Sequence, residues 1–314
     1  MLRAMDSAVA GLRAHQSKLD VIGNNIANIN TFGFKAQSYS FKEAMYQTSS
    51  ASTGGTATAA GNNAAQFGYG SLTGSISTDM GASTPTYVGG FNASINGQGF
   101  FIVSSSNGDV DVDDAKGTAD LSYTRVGQFS IDSNGYIVDS NNNFVMGFQP
   151  DDAITNPPNY DYDNLKPLRV CDINGDFLQP GVNTDLAVSN SIEINNMGVI
   201  TATITMKDPQ GKDVSKTVTL GKAAIANFQN PEGLTKAGGY YYTTNPNDNA
   251  GDLAITEPGS GNTPTLMAGY IEASNVDMAK EFSDLITTQR GLQANTKIIT
   301  VSDEVLNEIV NMKR

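Results

Sequence analysis

Few residues in this sequence are of a type and spacing that could do chemistry. Histidine occurs once, at His15, and cysteine once, at Cys171. A hydroxyl or thiol nucleophile needs a base within hydrogen-bond reach, and a zinc site needs three or four His, Cys or acidic ligands. His15, between Ala14 and Gln16, reads as a packing or surface residue, and Cys171 as a strand-end thiol that cannot close an internal disulfide. Gly68-Tyr69-Gly70-Ser71-Leu72-Thr73-Gly74 has the glycine spacing of a phosphate loop. It is followed by no helical pattern and no Gly-Lys-Ser/Thr, so phosphate binding is not expected. Asp109, Asp111, Asp113 and Asp120 fall at the first, third, fifth and twelfth places of a calcium loop. Asp114 stands where that loop turns on glycine, and Asp120 replaces the bidentate glutamate, so a solvated hairpin loop is the expectation. Tyr240, Tyr241 and Tyr242 would make a binding platform, but a strand turning Tyr241 inward is the simpler reading. No catalytic residue, cofactor, metal, nucleic acid or small-molecule substrate is expected.

The composition points the same way. Of 314 residues, 39% are hydrophobic and 16% charged, and the net charge is −13. A basic footprint for nucleic acid or anionic membrane is missing. No run of about 18 apolar residues occurs, which excludes a transmembrane helix. The start, Met1-Leu2-Arg3-Ala4-Met5-Asp6, places an acid early and has no continuous apolar stretch. A cleaved signal peptide is therefore not expected.

What remains is architecture. Met5, Leu12, Leu19 and Ile26 recur every seventh residue near the start, and Met278, Leu285, Leu292, Ile299 and Leu306 do so near the end. Such a stripe keeps one side of a helix apolar and asks for a partner helix. Leu2, Val9, Ile22 and Ile29 broaden the first stripe. Phe282, Ile286, Ile298, Val305, Ile309 and Val310 broaden the second, with Gln289, Thr296 and Asp303 beside it. The predicted N-terminal helix runs from about residue 3 to 29, and the two helices are expected to pair with each other and with neighbouring molecules. No charge occurs between residues 44 and 78, and Thr48 to Ala65 holds only small, glycine and amide residues. Such a stretch cannot bury enough apolar area to offset backbone entropy, so it reads as a linker, ordered only by neighbours.

From about residue 72 the period changes to two. Gly99 to Val103 is an apolar run of strand length, and Tyr123 to Phe129 and Tyr136 to Val138 flank Asp132-Ser133-Asn134-Gly135. Asn-Gly favours a tight hairpin turn. Asp172-Ile173-Asn174-Gly175, Asn195-Asn196-Met197-Gly198 and Asp208-Pro209-Gln210-Gly211 repeat the signal, the last between Val199–Met206 and Val214–Leu220. Loops are expected at 151–164 and 245–265. The fold class is α+β: paired, coiled-coil-like N- and C-terminal helices plus a central antiparallel β-rich domain. The expected division is a helical domain of residues 1–32 and 276–314, connecting segments at 33–71 and 269–275, and a β domain at 72–268.

Two segments carry a specific resemblance. Asn24-Asn25-Ile26-Ala27-Asn28, followed by Thr31-Phe32-Gly33-Phe34-Lys35, resembles the N-terminal signature of the bacterial flagellar rod and hook family. Gly269-Tyr270-Ile271-Glu272-Ala273-Ser274-Asn275-Val276-Asp277-Met278, continuing through Gln289-Arg290-Gly291-Leu292, resembles its C-terminal signature, with Leu292 where tyrosine is frequent. Asn96 to Val103, Tyr123 to Ser130 and Ala226 to Leu234 resemble the family's β domain. The resemblance implies a structural subunit exported by the flagellar type III apparatus without a cleaved signal, which polymerises into a tube outside the cell. Terminal helices would form the inner wall around the export channel and β domains the outer layer. Its partners would be further copies of itself, the rod, the hook cap and the hook–filament junction proteins. Met5, Leu12, Leu19, Ile26, Asn24, Asn25, Asn28, Met278, Leu285, Leu292, Ile299 and Leu306 would make the assembly interface. The opening residues and long loops resemble a short hook subunit, which forms a flexible curved joint. A distal rod subunit, a stiff drive shaft, has the same layout. A secreted β-rich adhesin would explain the acidity and strands but not the two helical stripes, and a hydrolase would lack an assembled nucleophile and base.

Overall fold

A computed structural model describes residues 2–55, 60–112, 115, 121–150, 160–170, 188–207, 213–245, 247–261 and 263–312. The chain divides into two units, one made of residues 1–29, 36–79 and 276–314 and the other of 30–35 and 80–275. Asp113, Asp114 and Asp120 of the calcium-like run, Cys171, and the turns at 172–175 and 208–211 lie outside the described residues.

In the first unit, α1 spans Leu2–Ala27 and α2 spans Met278–Met312, both free of proline and close to the expected bounds. Asp277 caps α2: its carboxylate accepts the amides of Ala279 at 2.9 Å and Lys280 at 3.2 Å. At the other junction the Asn28 amide donates to the Asn24 carbonyl at 2.9 Å, closing the end of α1.

Both ends of the uncharged stretch are paired strands, and the described residues between Ser50 and Ala65 hold only the Thr53–Asn62 bridge. β1 (Gln37–Glu43) and β2 (Tyr46–Ser50) run out, and β3 (Ala65–Gly68) and β4 (Ser71–Thr78) run back. They pair antiparallel, from Gln37 opposite Thr78 to Glu43 opposite Ser71 and from Tyr46 opposite Gly68 to Ser50 opposite Ala65. Hydroxyls do here what apolar side chains do in an ordinary sheet. Ser38 meets Ser77 and Ser40 meets Ser75, each at 2.8 Å, and the Tyr39 hydroxyl donates to Thr73 at 2.9 Å. Alternation of apolar residues was the wrong signal for strands that bury little of their side-chain surface. The phosphate-loop-like glycines lie on this ribbon. Gly70, at φ +93°, lets the chain pass where a Cβ would sit 2.8 Å from the Ser7 carbonyl oxygen.

The second unit is an antiparallel β structure. Its main sheet runs, in spatial order, Val188–Ile194, Val199–Lys207, Asp213–Ala223, Phe144–Phe148, Phe100–Ser104, Leu121–Thr124, Tyr241–Thr243 and Thr235–Gly238. Phe100–Ser104 is buried along its whole length. Phe101 and Val103 enter one apolar cluster with Ile137, Val145, Leu168 and Ile225, while Phe100 and Ile102 enter another with Tyr123, Phe148, Phe228 and Tyr242. A strand covered on both faces has no polar face to show, which is why it reads as a continuous apolar run. The Asn134-Gly135 and Met197-Gly198 turns form as expected, with Gly135 at φ +81° and Gly198 at φ +74°.

Two details differ from the sequence reading. Tyr123 to Phe129 is not one strand. It breaks after Thr124, and Arg125 turns into the interior. Tyr242, not Tyr241, is the buried tyrosine of its strand, because Tyr240 sits at φ +71° and the pairing starts one residue later. Burial pushes the Tyr242 hydroxyl up to about 12, whereas the Tyr241 hydroxyl donates to the Asp139 carboxylate.

Candidate assembly surface

The helices α1 and α2 pack antiparallel: Gly11 faces Asn295, His15 faces Gly291 and Asn25 bonds Glu281. The contact is built by exchange of size. A Cβ on Gly11 would lie 2.9 Å from the Asn295 amide, and one on Gly291 would lie 2.6 Å from the His15 ring. Each bulky side chain therefore sits over a glycine on the other helix, and the backbones approach closely. Ala8, Gly11, Ala14, Val21, Ile22 and Asn25 of α1 are buried, as are Glu281, Thr288 and Ser302 of α2. His15 also tilts against Phe41 of β1 at 5.2 Å. Burial, and then the neighbouring Lys18 charge, holds its pKa below the ordinary 6.5.

The seventh-residue stripes are less buried than the buried residues of this seam. Met5, Leu12, Leu19 and Ile26 are half-buried along its flank, as are Leu285, Leu292, Ile299 and Leu306, and Met278 is exposed. The outward side of α2 is more apolar still. Phe282, Ile286, Ile298, Val301, Val305, Ile309, Val310 and Met312 are all exposed, Met312 at 86% and Val310 at 65%. Between α1 and β4 an open groove is lined by Asp6, Val9, Arg13 and Leu72, and Phe67 and Met45 of the ribbon are exposed as well. Many of the large apolar side chains of this unit are on its surface, while its helix seam buries small residues together with Val21 and Ile22. A single chain leaves that area in water, a larger apolar exposure than scattered surface residues give.

The asparagines of the N-terminal motif divide their work. Asn24 and Asn28 are local: Asn28 bonds both the carbonyl and the side chain of Asn24. Asn25 is buried and joins three elements. Its amide donates to the Gln37 carbonyl at 2.8 Å and the Glu281 carboxylate at 3.1 Å, and its carbonyl oxygen accepts the Gln37 amide at 3.0 Å. The end of α1, the start of β1 and the first turn of α2 meet on one side chain.

The second unit holds a site that the sequence reading missed. Lys35, Arg125 and Glu272 are 1%, 2% and 1% exposed and form one ionic cluster. Arg125 grips Glu272 with two donors, Nε at 2.7 Å and a terminal nitrogen at 3.0 Å. Lys35 Nζ lies 2.8 Å from the same carboxylate, and the Ser83 amide donates to it at 2.9 Å. Arg125 also donates to the carbonyls of Gly97 at 2.8 Å and Gly99 at 2.6 Å, and Lys35 to that of Gly81 at 2.6 Å. Burial alone would raise the Glu272 pKa, but Arg125 and then Lys35 outweigh it, and the carboxyl titrates below the ordinary 4.5. Gly33, at φ +67°, donates its amide to the Glu272 carbonyl at 2.8 Å, where a Cβ would strike Val126 at 2.6 Å. Three separated motifs, Gly33-Phe34-Lys35, Thr124-Arg125-Val126 and Ile271-Glu272-Ala273, thus converge. Each carries one charge in a segment of otherwise uncharged residues, which marks the three ions singly but does not pair them. Among the described residues no three His, Cys, Asp or Glu side chains are grouped to hold a metal ion, and no helix is long and apolar enough to cross a membrane.

Comparison with known proteins covers the same segments. Residues 5–35 match the family "Flagella basal body rod protein", residues 94–202 the "Flagellar hook protein FlgE/F/G D1 domain", and residues 267–312 the "Flagellar basal body rod FlgEFG protein C-terminal". The chain is 35% identical to the flagellar basal-body rod protein FlgG of Bacillus subtilis over 315 positions, covering 100% of both chains. It is 31% identical to FlgG of Caulobacter vibrioides over 97% of each. It is 25% identical to the flagellar hook protein FlgE of Borreliella burgdorferi, in an alignment of 456 positions that covers all of both.

Proposed function

The chain belongs to the bacterial flagellar rod and hook protein family, and we propose that its place there is the distal rod, as the repeating subunit of a stiff tube. The observation that carries this reading is length. Rod relatives match the chain end to end with almost no added positions, 315 for a chain of 314 residues, whereas the hook relative needs 456. The residue 37–78 ribbon supports it. A stretch held by paired strands and hydroxyl bonds offers less sliding than the flexible linker a bending joint would use. The hook reading stays second, supported by whole-length similarity to a hook protein.

In this reading the helical unit lines the central channel and the β unit faces outward. The exposed stripe of α2 and the groove beside α1 are covered by further copies of the chain. Other partners would be the adjoining rod and hook segments, the hook cap and junction proteins, and the type III export apparatus that delivers the chain. Electron microscopy of basal bodies from a strain lacking this chain tests the assignment. The rod reading expects truncated rods with no hook. Complete rods that lack only the hook would select the hook instead.

A further inference from the structure

The backbone passes between the two units four times, after Ile29, Lys35, Asp79 and Asn275. Any force carried along the chain from one unit to the other crosses these four links. On the β side all four lead within a few residues to the buried ionic cluster. The first reaches Gly33, whose amide bonds the Glu272 carbonyl at 2.8 Å. The second is at Lys35 itself. The third reaches Gly81, whose carbonyl takes the Lys35 ammonium at 2.6 Å, and Ser83, which bonds the Glu272 carboxylate at 2.9 Å and the Ser274 carbonyl at 3.0 Å. The fourth leaves from Asn275, whose amide bonds the Phe34 carbonyl at 3.4 Å.

We infer that Lys35, Glu272 and Arg125 form a mechanical clamp that gathers the four connecting strands and passes torque from the helical unit into the β core. This rests on reading the chain as a subunit of a rotating tube. Lys35 and Glu272 tie the strands to one another. Arg125 ties them to the core, because its guanidinium also holds the Gly97 and Gly99 carbonyls next to the buried strand Phe100–Ser104. The choice of ions has a physical logic. Apolar contacts are non-directional and slide at little cost, while charge-assisted hydrogen bonds lose most of their strength within a small change of distance or angle. A joint that must not slip under twist is better made from the second kind. An ordinary core would achieve the same stability with apolar side chains.

The test uses the full chain with Lys35→Met, which leaves Glu272 paired with Arg125 and spares the core an unpaired carboxylate. Hydrogen exchange is measured on the purified protein. The clamp expects the Gly33, Ser83 and Asn275 amides to exchange on the order of 100-fold faster, with Ile102 and Tyr123 unchanged. Equal acceleration in the core, or none at the connectors, overturns it. In cells, Lys35→Met tubes are expected to turn normally in dilute medium and to fail at raised viscosity, with Lys35→Arg restoring function. Tubes that withstand load like the wild type overturn the mechanical role. A strain lacking the chain that still builds whole flagella would overturn the tube reading instead, and the exchange result would still judge whether the connectors are clamped.

Discussion

The two units bury opposite kinds of side chain. The β unit encloses Phe101, Ile102, Tyr123, Phe148 and Leu165 almost completely and buries three ions that satisfy one another. The helical unit encloses Ala8, Gly11, Ala14, Thr288 and Ser302 beside Val21 and Ile22, and leaves Phe282, Ile286, Val305 and Ile309 in water. Their junctions differ in the same sense. Asn25 joins three elements through one neutral side-chain amide, while Glu272 joins its neighbours with two cations. The β unit is therefore built to be stable in one chain. The helical unit leaves much of its apolar area outside, where the proposed tube would cover it with further copies.

The comparison breaks most severely if the β unit tolerates loss of its carboxylate. Glu272→Gln leaves Lys35 and Arg125 buried without an anion, and removing one partner of a buried ion pair costs about 3–5 kcal/mol. Urea unfolding followed through the β unit should show that loss, and a cost under about 1 kcal/mol would mean that the cluster is wet and weak. A smaller effect is expected from Gly127→Ala. The new Cβ would sit 1.8 Å from the Ala93 carbonyl oxygen and 2.8 Å from the Phe101 ring. Overpacking of this kind costs about 1–3 kcal/mol, and the melting temperature of the β unit should fall while helix content holds.

Acid gives a graded version of the same test. The folded Glu272 pKa lies below its ordinary 4.5. A carboxyl of this kind contributes stability above its unfolded pKa, and that stability is lost as pH falls toward the folded value. The β unit should thus weaken as pH drops from about 4.5, and Glu272→Gln should flatten that part of the profile. An unchanged slope in the variant would place the acid sensitivity on other carboxyls.

How much of this was legible in the sequence follows from the same contrast. Both helices were readable because Met5, Leu12, Leu19 and Ile26, and Leu285, Leu292, Ile299 and Leu306, keep a fixed step. The seam between them was not, because Ala8, Gly11, Ala14 and Gly291 carry no hydropathy signal and act by letting backbones approach. The strand Phe100–Ser104 was readable as an apolar run, and the turns from Asn134-Gly135 and Met197-Gly198. The ribbon at residues 37–78 escaped because its strands bury little and bond through hydroxyls. The ionic cluster escaped because its members stand 90 and 147 residues apart, a separation that only the fold closes.

The smallest expected effect on the isolated chain comes from the outer face of α2, where the contrast is sharpest. Ile286 is 51% exposed and lies away from α1, so Ile286→Asp removes little buried area. Surface changes of this kind stay within about 0.5 kcal/mol, and an acid in the first third of a helix is not opposed by its dipole. Urea unfolding of the monomer should be unchanged. Assembly should not be: if a neighbouring copy covers this face, each subunit would bury an unpaired carboxylate in an apolar contact. Sedimentation and electron microscopy should then show monomers at concentrations where the wild type forms tubes. An Ile286→Asp protein that polymerises normally would mean that the exposed stripe faces the channel or solvent, and that the groove beside α1 carries the subunit contact instead.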